Sequence, residues 1–95
     1  MIFILDNKKY DTEKSEEIYK FRRKYPRGTL FNMPMYYLDS MVLYRTQKGN
    51  WFSVRETESQ KFIAYMETDG SVKEIFSNLN EVELIEKYFG NIDEA

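Results

Sequence analysis

Side-chain chemistry needs groups that move protons, attack carbon or phosphorus, or hold a metal. This sequence of 95 residues is short of them. It has no histidine and no cysteine, which removes the commonest general base, the commonest metal ligand, the thiol nucleophile and any disulfide. Its six serines are scattered, and none sits in a Gly-x-Ser-x-Gly elbow. A nucleophile would therefore depend on a Lys, Asp or Glu base. Gly28, Gly49, Gly70 and Gly90 stand too far apart to form a phosphate-cradling loop. Glu56, Glu58, Glu67 and Asp69 offer a carboxylate pair for hydrolysis or for Mg²⁺, as the acids of any charged hairpin do. The expectation is a protein that is not an enzyme, with no cofactor and no metal site.

The remaining chemistry is recognition. Val42 to Arg45 and Trp51 to Val54 are strand-like runs around Thr46-Gln47-Lys48-Gly49-Asn50. A turn over Gln47 and Lys48, with Gly49 at positive φ, joins them as a hairpin. In that register Tyr44 faces Phe52 and Val42 faces Val54 on an apolar side, while Arg45 faces Trp51 and Leu43 faces Ser53 on the other. Arg45 and Trp51 then read as a cation–π pair, as an interface anchor, or as core if both sheet faces are covered. Met33 and Met35 read as part of a lid on the core, the favoured reading, or as an adaptable partner-binding spot. Lys20, Arg22, Arg23, Lys24 and Arg27 read as a solvated cationic face or as a phosphate-binding patch, with the first favoured.

The elements that must position these residues follow from periodicity and caps. Ile2 to Leu5 and Lys9-Tyr10 form a first hairpin. Asp11 or Thr12 caps a helix carrying Ile18, Phe21 and Tyr25 on its buried stripe, ended by Pro26. Pro26 to Met35 is an apolar loop. Gln60 to Met66 and Val72 to Phe76 are strands joined at Asp69-Gly70. Asn80 at N-cap and Glu83 at N3 open a last helix with Val82, Ile85, Tyr88 and Phe89 inward, stopped at Gly90. The expected architecture is a single α+β domain, residues 1–95. It has an antiparallel sheet of five to six strands, one helix in the N-terminal half and one at the C-terminus, in ββαββββα order.

Ten Lys/Arg against six Asp/Glu give residues 1–50 a charge of +4, and four against ten give residues 51–95 a charge of −6. Sheet topologies mix sequence halves, so these charges are expected to interleave and largely cancel. The apolar start, Met1 to Leu5, lacks a basic lead-in and is too short for a signal peptide or a membrane span. A cytoplasmic protein without a membrane partner is expected.

Two stretches carry a resemblance. Lys9-Tyr10-Asp11-Thr12-Glu13-Lys14-Ser15-Glu16 and Leu43-Tyr44-Arg45-Thr46-Gln47-Lys48-Gly49-Asn50-Trp51-Phe52 are similar to motifs of small proteins from phages and mobile elements of low-GC bacteria. The acidic, aromatic segment from Glu81 to Phe89 resembles their C-terminal helix. The Gly-rich segment that often follows the central hairpin is replaced here by Arg55 to Gln60. The resemblance implies a mobile-element accessory protein that binds and inhibits a host defence protein, anti-CRISPR proteins being among that company, and it carries over no catalytic residue. On that reading Glu56, Glu58, Glu67, Asp69, Glu83 and Glu86 would engage the basic channel of a CRISPR effector nuclease, with Arg45 and Trp51 as the hot spot. The alternative is a small nucleic-acid-binding or regulatory module using Lys20, Arg22, Arg23, Lys24 and Arg27. A homodimer through an open sheet edge is a third possibility.

Overall fold

The sheet of the computed structural model, which describes residues 1–95, grows outward from the Tyr44–Phe52 hairpin. Strands β1 (Ile2–Leu5) and β2 (Lys8–Asp11) form a separate hairpin turned by Asp6 and Asn7, both at positive φ. A single 3₁₀ turn (Thr12–Lys14) leads into β3 (Glu16–Leu30), β4 (Met33–Arg45), β5 (Trp51–Glu56) and β6 (Phe62–Glu67). These four pair in sequence order as an antiparallel meander. Helices α1 (Asp69–Asn78) and α2 (Val82–Phe89) follow. The class is α+β as expected, but the six strands form separate sheets of two and four rather than one sheet, and both helices lie in the C-terminal half, so the expected ββαββββα order is corrected to six strands followed by two helices.

The central hairpin adopts the expected register, with Val42 opposite Val54, Leu43 opposite Ser53, Tyr44 opposite Phe52 and Arg45 opposite Trp51. Gly49 sits at φ +87°, a conformation that only glycine adopts without cost.

The expected first helix is a correction. Glu16–Leu30 is a 15-residue strand. Ile18, Phe21 and Tyr25 fit a helical stripe, but Tyr19, Phe21 and Tyr25 also fit a strand period, alternating with Lys20, Arg22 and Lys24. The aromatic and β-branched content favours the strand, and pairing with β4 along its length decides the matter. Pro26 is tolerated because β3 is an edge strand, where no ladder partner needs its missing N–H. The Asp11 cap does form, its carboxylate accepting from the Glu13 N–H at 3.0 Å, but it opens only the 3₁₀ turn.

Two further expectations are overturned. Pro26 to Met35 is not a loop over the core. It forms the end of a β3–β4 ribbon, with Leu30 opposite Met33 and the turn at Phe31 and Asn32. Asp69-Gly70 is not a hairpin turn. Thr68 and Ser71 cap α1 reciprocally, each side chain bonding the other's backbone N–H at 3.0 and 2.9 Å. Val72, Ile75 and Phe76 then fall at helical spacing and are buried. The last helix is present and stops at Gly90. Its N-cap is Glu81 rather than Asn80, without a side-chain cap, because Asn80 takes positive φ in the link between the helices.

Both faces of the sheet are covered. The helices pack Val72, Ile75 and Phe76, with Leu84, Ile85, Tyr88 and Phe89, onto Leu43, Trp51, Tyr19 and Phe21. The β1–β2 hairpin packs Phe3, Leu5 and Tyr10 onto Tyr44, Phe52, Val54 and Ala64 on the opposite face. No helix is long and apolar enough to cross a membrane.

Candidate interaction surface

β5 ends at Glu56, opposite Ser40. Beyond that point β3 and β4 run on as a two-stranded ribbon whose outer part, Met33 to Leu38, projects about 20 Å at the usual strand rise. A two-stranded ribbon is weak by itself, so its base must hold it. Arg55 on β5 does this. Its Nε donates to the buried Asp39 Oδ2 at 2.7 Å, its Nη1 donates to the Tyr65 hydroxyl at 3.2 Å, and its guanidinium lies 3.6 Å from the Tyr25 ring centroid. Tyr25 also stacks on Tyr65. Two β3–β4 residues are thereby clamped to β5 and β6. The hydrogen bond that Arg55 donates to Tyr65 and the Asp39 carboxylate outweigh burial and raise the Arg55 guanidinium above its usual value.

A second clamp joins β3, β5, β6 and α1. The Glu67 carboxylate takes a forked pair of bonds from Arg23 at 2.9 and 3.3 Å, one from the Ser53 hydroxyl at 2.6 Å and one from Ser71 at 2.8 Å. Burial pushes the acid up, but these donors outweigh it and hold it below the ordinary 4.5. Tyr19 adds a third tie, donating to Glu81 at 3.0 Å; burial and that carboxylate raise its phenol.

The ribbon end is apolar and exposed. Leu30, Met33, Tyr36 and Leu38 are each more than half exposed, Met35 is 37% exposed, and Phe31 at the turn is 89% exposed. Met33 and Met35 are therefore on the surface, and the reading of this segment as a core lid is corrected. Phe31 also stands at φ +51°. For a bulky L-residue the left-handed region costs about 1–2 kcal/mol, and at this exposure the side chain recovers little by packing. Lys24 lies over Tyr36 and Arg27 over Tyr37, at 5.9 and 4.7 Å from the ring centroids.

The other expected site residues are dispersed. Arg45 does lie over Trp51, 4.8 Å from its ring and 5.1 Å from that of Tyr88. Trp51 is only 4% exposed, covered by Tyr88 and Phe89, with its Nε1–H donating to Asp69 at 3.0 Å. It is a core residue and cannot act as a surface anchor while α2 is in place. Asp69 and Glu67 are thus engaged within the fold. Glu56 and Glu58 face solvent at the β5–β6 connection, and Glu83 and Glu86 face solvent on α2.

The five basic residues divide by strand alternation. Arg23 points to the helix side and is paired with Glu67. Lys20 and Arg22, set opposite Val42 and Ser40, face the other side with Lys24. A shallow depression there is lined by Lys20, Arg22, Ser40 and Glu56. Arg27 is the unpaired residue of the bulge between Pro26 and Gly28, farther along the ribbon. Sequence reasoning missed the ribbon itself. The available signal was the alternation of Tyr19, Phe21 and Tyr25, continued by a second aromatic run at Tyr36 and Tyr37. A scan against protein-family models finds no match to this chain, and searches of curated proteins and of solved structures return none.

Proposed function

We propose that this chain is a non-enzymatic, mobile-element-borne inhibitor that docks on a host defence protein, with a CRISPR effector nuclease as the leading target. The observation that carries the reading is Phe31. It is an aromatic side chain held out at the end of a braced ribbon, in a backbone conformation that costs energy and is not repaid within the chain. Aromatic and methionine side chains suit such an anchor, because a partner's pocket can remove most of their surface from water. Phe31, Met33, Met35 and Leu38 replace Trp51 as the proposed hot spot. Glu83, Glu86, Glu56 and Glu58 would add charge toward a basic channel.

The test is capture of candidate effectors, with and without guide RNA, by the parent chain and by Phe31→Asn and Met33→Ser variants. Loss of capture and of inhibition in both variants, with folding intact, supports the reading. Full inhibition by both would overturn it.

A second reading, a nucleic-acid-binding module, is favoured by one observation: Lys20, Arg22 and Lys24 share one face of β3. It predicts that a Lys20→Glu/Arg22→Glu variant loses retention on heparin.

A further inference from the structure

A cleft of about 540 Å³ lies away from the ribbon, between the β1–β2 hairpin and the Thr46–Asn50 turn. Lys8, Lys9, Lys14 and Lys48 all line it, with Asp11 the single acid among its walls. None of the four ammonium groups is in an ion pair. The Asp11 carboxylate is already engaged by the Glu13 N–H at 3.0 Å. Four unpaired cations around one concavity are unusual in a chain whose net charge is −2, and a concave wall concentrates the field they make. The wall also supplies hydrogen-bond donors. Gln47 and Lys48 line the cleft, and their backbone N–H groups have no acceptor within the protein. Successive free N–H groups at a turn, beside lysine, are the ordinary makings of an oxyanion site.

We propose that this cleft binds a chain of phosphate groups, with Lys8, Lys9, Lys14 and Lys48 meeting the charges and the Gln47–Lys48 turn amides donating to an oxygen. The shared chemistry is several linked phosphates, from either a nucleic-acid backbone or a free polyphosphate. The ligand fits this end of the molecule because the nearby walls are polar and only two of the lining residues are hydrophobic. The site is independent of the proposed docking function of the ribbon, so either can fail alone.

The probes are sodium tripolyphosphate and an oligothymidylate of about ten nucleotides, each added to the ¹⁵N-labelled full chain and followed by NMR. Saturable shifts are expected in the amides of Lys8 to Asp11, Lys14, Ser15 and Gln47 to Asn50. With four phosphates met, single-strand affinity should fall roughly fifty-fold between about 50 and 200 mM salt. A Lys8→Glu/Lys48→Glu variant changes two exposed side chains; it should lose at least about tenfold in affinity while the rest of its spectrum overlays the parent's. Lys20→Glu/Arg22→Glu should bind as the parent does. Binding of tripolyphosphate alone upholds the site and assigns it to free polyphosphate. Binding of the oligonucleotide, with or without tripolyphosphate, upholds it and assigns a nucleic-acid backbone. No saturable shift with either probe at the lower salt overturns the proposal. So do shifts centred on Lys20 to Arg27 that the Lys8→Glu/Lys48→Glu change leaves intact.

Discussion

Phe31 and Glu67 illustrate opposite relations between a residue and its fold. Phe31 is held at a cost and receives almost no burial in return. Replacing it with Asn, which tolerates the left-handed region, should leave thermal stability unchanged or raise it by up to about 1 kcal/mol. The measurement is a melting curve run beside the capture assay; a stability loss above about 1 kcal/mol would mean that Phe31 packs within the chain after all. Glu67 is fully used, with four donors on one carboxylate. Its folded-state proton affinity is depressed, so between its folded value and the ordinary 4.5 the unfolded chain binds more protons. Its stabilisation is therefore complete above pH 4.5 and is lost as pH falls through the folded value. Glu67→Gln should flatten that acid limb of a stability–pH curve while lowering stability at neutral pH. Asp39→Ala would leave Arg55 without its carboxylate in a largely buried setting, at a cost of about 3 kcal/mol. That corresponds to a melting temperature lower by roughly 12 °C or more.

At the scale of elements, the two edges of the sheet are treated differently. β3 carries Pro26, two register shifts and the cations Lys20, Arg22 and Lys24, all devices that discourage a further strand. β6 pairs on one side only, and its run Phe62-Ile63-Ala64-Tyr65-Met66 has no charge, proline or glycine. Phe62, Ile63 and Met66 are all at least 40% exposed. Such an edge favours strand addition. Sedimentation velocity at two concentrations should show mass rising with concentration, and Met66→Lys should return the chain to monomer at both. Identical sedimentation of the two proteins at high concentration would remove β6 as an interface. The helices were partly legible. Val82 to Phe89 announces itself by period and by Gly90, whereas Thr68 and Ser71 as a capping pair were overshadowed by the turn-like Asp69-Gly70. A local turn signal lost there to a helix whose Val72, Ile75 and Phe76 had a sheet face to cover.

On the scale of the whole molecule, the two sequence halves meet across the sheet. The meander follows sequence order, so residues of the positive half build β1 to β4, and residues of the negative half build β5, β6 and both helices. The +4 and −6 halves nevertheless interleave as expected: the β1–β2 hairpin packs on β5 and β6, the helices pack on β3 and β4, and the ion pairs Arg23–Glu67 and Arg55–Asp39 each join one half to the other. Glu83 and Glu86 remain exposed on α2, and exposed charge of one sign steers encounters. Charge reversal at Glu83 and Glu86 should slow association with a basic partner by about tenfold at low salt and much less at high salt, with dissociation nearly unchanged. Surface plasmon resonance at two ionic strengths separates those rates; an effect confined to dissociation would place α2 inside the contact rather than at its rim.

The order of side chains alone determined the central hairpin, its register and its Gly49 turn, because those contacts are local and each residue's preference agrees with its neighbours'. It also determined the want of histidine and cysteine. Tertiary structure alone decided that Ile18 to Tyr25 is a strand, because the residues satisfy both periods and only the partner strand β4 distinguishes them. It likewise decided that Trp51 is covered and Phe31 is not, since exposure depends on what packs against a side chain from elements remote in the chain.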